Sequence, residues 1–421
     1  MVTQGKLMRF LATFVTVVVS VALIVGVFAQ SLPLRNEENK PVYVGVSFEG
    51  ETAAEAKLLI DRVENYTNLF VIGTTPVSKN ETITNEVCDY AISKGLNIIV
   101  NFGYYTQNPT SPEEAFRQWP WQHSWVVAAK QKYGNRFLGV YYDDEPGGTT
   151  IDFDWIQFFT NYSSYLSQPS NSTLHRIYAK FIQAQTSGIS PSNYDLEAEY
   201  FESVLRSAFY HGPRAAGGVT FTSDYGLYWF DYLGGYDTLL AQFGWNHSIV
   251  QDIALVKGAA RLQNKQWGAI LTWKYDKPPY LDTGEEIYKQ MVQAYQAGAS
   301  YITIFNYPKL NENKYGVMQD EHFAALERFW NVVVEPNIGR ARESSSSEAV
   351  LVLPRNYGWG LRSPDDRIWG MWGPDDKSPQ IWETSRKLLS EYGLKLDIVY
   401  DDPALPATGR YKRVYYWNES A

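Results

Sequence analysis

Phe137-Leu138-Gly139-Val140-Tyr141-Tyr142-Asp143-Asp144-Glu145-Pro146-Gly147-Gly148 is an apolar run that leads into three consecutive carboxylates and then a Pro-Gly-Gly turn. A β-strand ending in clustered acids has the composition of an active-site rim, because neighbouring unpaired carboxylates repel and shift one another's pKa. The same residues also suit a strand-to-loop turn in which Asp and Gly do turn chemistry and the charges are solvated. The rest of the chain decides between these readings.

Seven more apolar runs of strand length flank this one: Val42 to Phe48, Leu69 to Gly73, Asn97 to Phe102, Gly218 to Thr222, Thr238 to Phe243, Trp267 to Trp273 and Tyr301 to Asn306. Most are continuously apolar, as strands covered on both faces are. Helical patterns separate them, read most clearly at Thr52 to Tyr66, Glu81 to Lys94, Ile249 to Asn264, Gly284 to Ala297 and Gln319 to Val333. Gly95 and Gly298 stand where C-caps belong. Eight strand-helix units predict an α/β fold, a (β/α)8 TIM barrel over about 31–336. A doubly wound open sheet is the alternative, but Phe48-Glu49-Gly50-Glu51 after the first strand is no Gly-rich phosphate fingerprint. Residues 151–216, with helices from about Phe153 to Leu166 and from Asp195 to Tyr210, form an insertion after strand four that would wall the active face. A Ser-rich linker at 337–348, with Ser344 to Ser347, precedes a small C-terminal α/β domain at 349–421.

Lys6 and Arg9 precede a charge-free apolar segment from Phe10 to Ala29. It is long enough to span a bilayer and also has the character of a signal peptide, so residues 1–30 predict export, either secreted or anchored by one N-terminal transmembrane segment. Cys88 is the only cysteine, so no intramolecular disulfide forms. Six Asn-x-Ser/Thr triplets begin at Asn65, Asn80, Asn161, Asn171, Asn246 and Asn418, which weakly supports an exported glycoprotein. A net charge of −9 without clustered Lys and Arg disfavours nucleic acid. Aromatic residues make up 15% of the chain, with 14 Trp and 31 Tyr. Most pack the core; those near strand ends have the flat apolar faces and polar tips that stack on sugars.

Barrel chemistry sits at the C-terminal ends of the strands. Those ends carry Glu49 after strand one, Tyr104 and Tyr105 after strand three, Asp143, Asp144 and Glu145 after strand four, and Asp224 after strand five. Gln242, Trp245 and Asn246 follow near strand six, Trp273, Lys274, Tyr275 and Asp276 after strand seven, and Asn306 and Tyr307 after strand eight. Such acids could protonate a glycosidic oxygen and stabilise an oxocarbenium-like transition state, while the amides bond hydroxyls. His123, His175, His211, His247 and His322 lack metal-ligand spacing, so no metal or other cofactor is expected. Neither a Gly-x-Ser-x-Gly elbow nor a Walker loop is present.

Asp143-Asp144-Glu145-Pro146 at the end of strand four resembles the glycoside hydrolase (β/α)8 barrels, where a Glu at that strand end, often followed by Pro, is the general acid/base. The resemblance covers the barrel's organisation and one short motif, and implies that Glu145 is the acid/base, its pKa raised by burial or by Asp143 and Asp144. Retaining barrels of the large cellulase-like clan carry a second Glu at the end of strand seven, where Trp273-Lys274-Tyr275-Asp276 offers only Asp276, slightly late. Asp143-x-Glu145 also resembles the end of the chitinase motif, and Asp144-Glu145 the adjacent pair of hexosaminidases. In both groups the substrate's N-acetyl group is the nucleophile and the Asp orients it, but Tyr141 replaces the earlier Asp of the chitinase pattern. The C-terminal unit resembles accessory domains of some exported glycosidases. Trp359, Trp369 and Trp372 there either extend a glycan platform or pack between the domains.

Two functions follow as expectations. The first is an exported glycoside hydrolase acting on an oligo- or polysaccharide, with Glu145 as proton donor, Asp143 or Asp144 tuning it, and Asp224 or Asp276 as second carboxylate. The second is a glycan-binding or surface-structural protein without hydrolytic competence, favoured by the missing strand-seven Glu. Oligomeric state stays open.

Overall fold

The computed structural model describes residues 41–73, 75–102, 120–210, 214–308, 313–340 and 346–419. The N-terminal apolar segment, Tyr104, Tyr105, His211, Ser344 and Ser345 lie outside them. Among the described residues no helix is long and apolar enough to cross a membrane.

Eight parallel strands close in sequence order: β1 (Tyr43–Phe48), β2 (Leu69–Ile72), β3 (Asn97–Asn101), β4 (Phe137–Tyr141), β5 (Thr220–Asp224), β6 (Thr238–Phe243), β7 (Gln266–Leu271) and β8 (Tyr301–Ile304), with β8 pairing back to β1. The (β/α)8 barrel is therefore formed. Period-2 alternation of the side chains explains why its strands read as unbroken apolar runs. One parity set, Leu69, Val71, Ile99, Tyr141, Phe221, Leu240, Ile270 and Tyr301, packs as a single cluster in the barrel interior. The opposite set, including Val44, Val46, Phe70, Ile98, Val140, Leu239, Ala269 and Ile302, joins the larger core under the helices.

The helices around the barrel include α1 (Ala53–Val63), α2 (Glu81–Ser93), α3 (Pro120–Tyr133), α4 (Pro146–Asp152), α5 (Trp155–Asn161), α6 (Thr173–Ser187), α7 (Asp195–Tyr210), α8 (Tyr228–Gly234), α9 (Ile249–Leu262), α10 (Gly284–Ala297) and α11 (Asp320–Phe329). Local chemistry fixes several of their ends. Thr52 and Glu55 form a capping box at α1, Asn80 caps α2, and Gly298 closes α10 in the left-handed region. The helix expected from Phe153 to Leu166 starts instead at Trp155, because Asp154 accepts the Gln157 N–H at 2.9 Å and so begins a new helix after α4. Strand β5 runs two residues further than its apolar letters predict, so Asp224 is its last residue rather than a loop residue.

A three-stranded parallel sheet, ordered β10-β9-β11, follows near the C-terminus: β9 (Ala349–Leu353), β10 (Leu396–Tyr400) and β11 (Arg413–Tyr416), with helix α12 (Ser378–Tyr392) between β9 and β10. It packs with the barrel in one compact unit. The approach is close at α9, where a Cβ on Gly258 would lie 2.7 Å from the Ile398 carbonyl oxygen. Beside it, Lys257 meets the fully buried Asp397 at 3.2 Å, and Asp397 also accepts from Ser347 (2.6 Å) and Tyr411 (2.8 Å). Trp359, Trp369 and Trp372 are all buried, with Trp369 packed on Phe201 and Phe230 of the barrel side.

Candidate active site

The interior parity set continues past the strand ends, and its next members line a pocket of about 280 Å³ at the barrel mouth. Two residues beyond each interior apolar side chain stand Gly73, Asn101, Ser223, Gln242 and Thr272; Ser47 and Glu49 come from β1, and Thr303, Phe305 and Tyr307 from β8. Asp144 and Glu145, just beyond Tyr141, enter the same space. Glu49, Asp144 and Glu145 are therefore three carboxyl groups in one pocket. Trp273 forms part of its wall, its ring 4.8 Å from that of Phe305 and 6.2 Å from that of Tyr307.

The backbone delivers the acids by strained turns. Asp143 (φ 52°) and Glu145 (φ 55°) both occupy the left-handed region, which few residues besides Gly adopt and which Asp tolerates better than Glu. The Glu145 amide is held by the Ser223 carbonyl at 3.1 Å. Glu145 is also the N-cap of α4, with Pro146 at the first helical position.

A hydrogen-bond chain links two of the three carboxyls. Tyr141 Oη donates to Asp144 Oδ1 and lies 2.7 Å from Ser223 Oγ, which is 3.2 Å from the same Asp144 oxygen. Gln242 Nε2 donates to Ser223 Oγ at 2.9 Å and to Glu145 Oε1 at 2.6 Å. Gln242 Oε1 is buried without a protein partner among the described residues.

The electrostatics set an order of ionisation. Burial raises Asp144, but the hydroxyls of Tyr141 and Ser223 oppose the shift and no neighbouring charge adds to it. Asp144 keeps a path to water through the pocket. It is therefore the first of the three to carry charge. Burial pushes Glu145 up to about 7, with Asp144 and then Asp152 adding to the rise and Gln242 opposing it. Burial, and then the Asp144 charge, raises Glu49 well above the ordinary carboxylate range. Burial thus favours the protonated form of two carboxyls, and one charged neighbour adds to the effect.

The other expected residues are placed differently. Asp224 has the opposite strand parity, turning away from the barrel axis. It is fully buried and accepts the N–H groups of Gly147 (2.6 Å), Gly148 (2.8 Å), Tyr225 (2.7 Å) and Gly226 (3.2 Å), while burial pushes its carboxyl up to about 8 against these bonds. Asn306, also off parity, spends its amide on the Tyr315 carbonyl and the Met318 N–H. Trp245, Tyr275 and Asp276 are exposed and do not line the pocket. Asp143 faces a second, largely apolar cavity of about 440 Å³ on the other side of the loop, walled by Phe153, Trp155, Phe201, Trp369 and Met371. Ser223 and Asn101 were not singled out in the sequence, and Tyr141 was noted only for standing where the chitinase pattern has an Asp, although the parity of β3, β4 and β5 would have placed all three in the pocket. Among the described residues no His, Cys, Asp and Glu grouping could hold a metal ion.

No protein-family model matches this chain, and no curated protein matches it in sequence. Among solved structures it is similar to GH5_18 from Streptomyces cattleya in complex with GlcNAc, at 11% identity and a TM-score of 0.48 over 90% of this chain and 99% of that one. It is similar as well to alpha-L-fucosidase isoenzyme 2 from Paenibacillus thiaminolyticus (10%, TM-score 0.47, 89% and 59%). A third is a GH30 endoxylanase from Clostridium papyrosolvens (10%, TM-score 0.40, 71% and 74%).

Proposed function

We propose that this barrel is a glycoside hydrolase with Glu145 as the proton donor. The observation that carries the reading is the triple-carboxyl pocket itself, in which burial, with the Asp144 charge adding to it, pushes Glu145 up to about 7. A group titrating near neutrality can deliver a proton to a glycosidic oxygen and recapture one afterwards. When Glu145 is ionised, Gln242 Nε2 donates to it. When it is protonated its O–H is free to turn to the leaving oxygen, and Gln242 remains as an amide for a substrate hydroxyl. Asp144, fixed by Tyr141 and Ser223, would stabilise positive charge developing at the anomeric carbon. Glu49, held neutral, offers an O–H donor to a hydroxyl, and the Trp273 and Tyr307 rings offer apolar faces.

The proposed setting is extracellular, secreted or tethered through residues 10–29, and the six acceptor asparagines are all exposed. A second reading, glycan binding without turnover, rests on the β7 end, which contributes Ile270, Thr272 and Trp273 to the lining and no carboxyl. Hydrolysis of a glycan panel by the protein and by Glu145→Gln separates the two. Turnover lost in the variant with glycan binding kept is the expected result; binding without turnover in both proteins establishes the second reading.

A further inference from the structure

We propose that Arg362, carried by the C-terminal lobe, is a positioning residue for Glu145 that acts through Asp152 at the far end of α4. The inference rests on the reading of Glu145 as proton donor. Helix α4 begins at the residue after Glu145 and ends at Asp152, so whatever fixes α4 fixes the acid. Its seven residues include Gly147 and Gly148, and so short a segment has little helical stability of its own. Its first turn is held by Asp224 and by close packing, since a Cβ on Gly148 would lie 2.2 Å from the Tyr225 ring.

Its last turn is held from the C-terminal lobe. Arg362 NH2 lies 2.8 Å from Asp152 Oδ1 and NH1 donates to Oδ2 at 3.1 Å, while Tyr225 Oη donates to Oδ2 at 2.8 Å. The guanidinium is itself immobilised, because its Nε and NH2 both donate to Asp366 at 2.9 Å. A planar fork fastened along one edge and bonded to Asp152 along the other is a rigid strut, which a lysine cannot reproduce. Gly370 (φ 68°) completes the grip, its Cα so near α4 that a Cβ would lie 2.2 Å from the Thr150 carbonyl oxygen.

The strut has an electrical side. Asp152 is faced by Arg362, Tyr225 and His247, with Asp366 behind Arg362; Glu145 is faced by Asp144, Asp224, Tyr225 and Asp152, and shares its pocket with Glu49. Removing the Arg362 charge leaves Asp152 with only the Tyr225 hydroxyl and His247 opposite it, so its negative charge weighs more on Glu145 and makes ionisation of Glu145 harder.

The test is a carboxyl-carbon NMR titration of Glu145 in the full chain, its signal identified by loss in Glu145→Gln, together with the pH dependence of hydrolysis of whichever glycan the panel identifies. Arg362→Met is expected to move the Glu145 midpoint upward by a few tenths of a pH unit and to lower kcat more than it raises KM. Adding Asp152→Asn returns the midpoint but not kcat. Arg362→Lys keeps the midpoint near wild type with partial kcat, and serves if the Met variant fails to fold. An unchanged midpoint and kcat in both Arg362 variants overturns the proposal, as does a fall in melting temperature with no change in either. Turnover retained in Glu145→Gln would instead overturn the donor assignment, and the titration would still report on the strut.

Discussion

Asp143 and Glu145 stand in the left-handed region on either side of Asp144, an arrangement costing on the order of 1–3 kcal/mol per residue that surrounding bonds must offset. It places Asp144 and Glu145 in the pocket together, and their coupling has two consequences. Because the folded state raises Glu145 from 4.5 to about 7, the fold binds that proton more tightly than the unfolded chain does. Stability is then full below about pH 4.5 and declines as pH rises toward 7. Glu145→Gln should therefore stabilise the fold at pH 8 by on the order of 1–3 kcal/mol, read as a raised melting temperature, and leave the melting temperature unchanged at pH 4. The same variant should lose about 10²–10⁴ in turnover. Asp144→Asn removes the charge that adds to burial in raising Glu145, so the alkaline limb of the activity profile should move to lower pH, read from kcat/KM across pH 4 to 9. Glu49, Asp144, Glu145 and Gln242 were legible as polar residues at strand ends. Asp224 and Asn306 look identical in sequence, and only strand parity sends them to the backbone instead of the pocket.

Helix α4 shows where local sequence signals end. Pro-Gly-Gly reads as a turn, and the helix forms because groups distant in sequence hold it: Asp224 from β5, Tyr225 after it, and Arg362 from beyond β9. Asp224→Ala leaves four backbone N–H groups without their acceptor and should cost about 2–4 kcal/mol, with activity falling as Glu145 loses its place. Denaturant midpoints and turnover of the one variant check both. The longer barrel helices, with periodic apolar faces and recognisable caps at Thr52, Asn80 and Gly298, were legible because their stability is written in adjacent residues. The break at Asp154 depended on a single side chain choosing to cap rather than to continue, a choice that periodicity does not encode.

Across the whole molecule, the small C-terminal sheet is bound to the barrel by buried polar contacts as well as apolar area. Lys257 and Arg261 of α9 both reach Asp397 on β10, and Gln251 donates to the Leu361 carbonyl at 2.9 Å. Lys257→Met would strip Asp397 of its most buried partner and should cost about 3–5 kcal/mol. Circular dichroism and Trp fluorescence should still follow one coincident transition, whereas separate transitions would mean that the sheet and the barrel unfold independently. The lobe that carries Arg362 is therefore not a cassette. Grafted onto another barrel, its strand β10 would bring an acid with no lysine waiting for it. The barrel left behind would keep an open mouth and three carboxyls, but the short helix behind its acid would lose the guanidinium that fastens its last turn, so the two halves can only change in step.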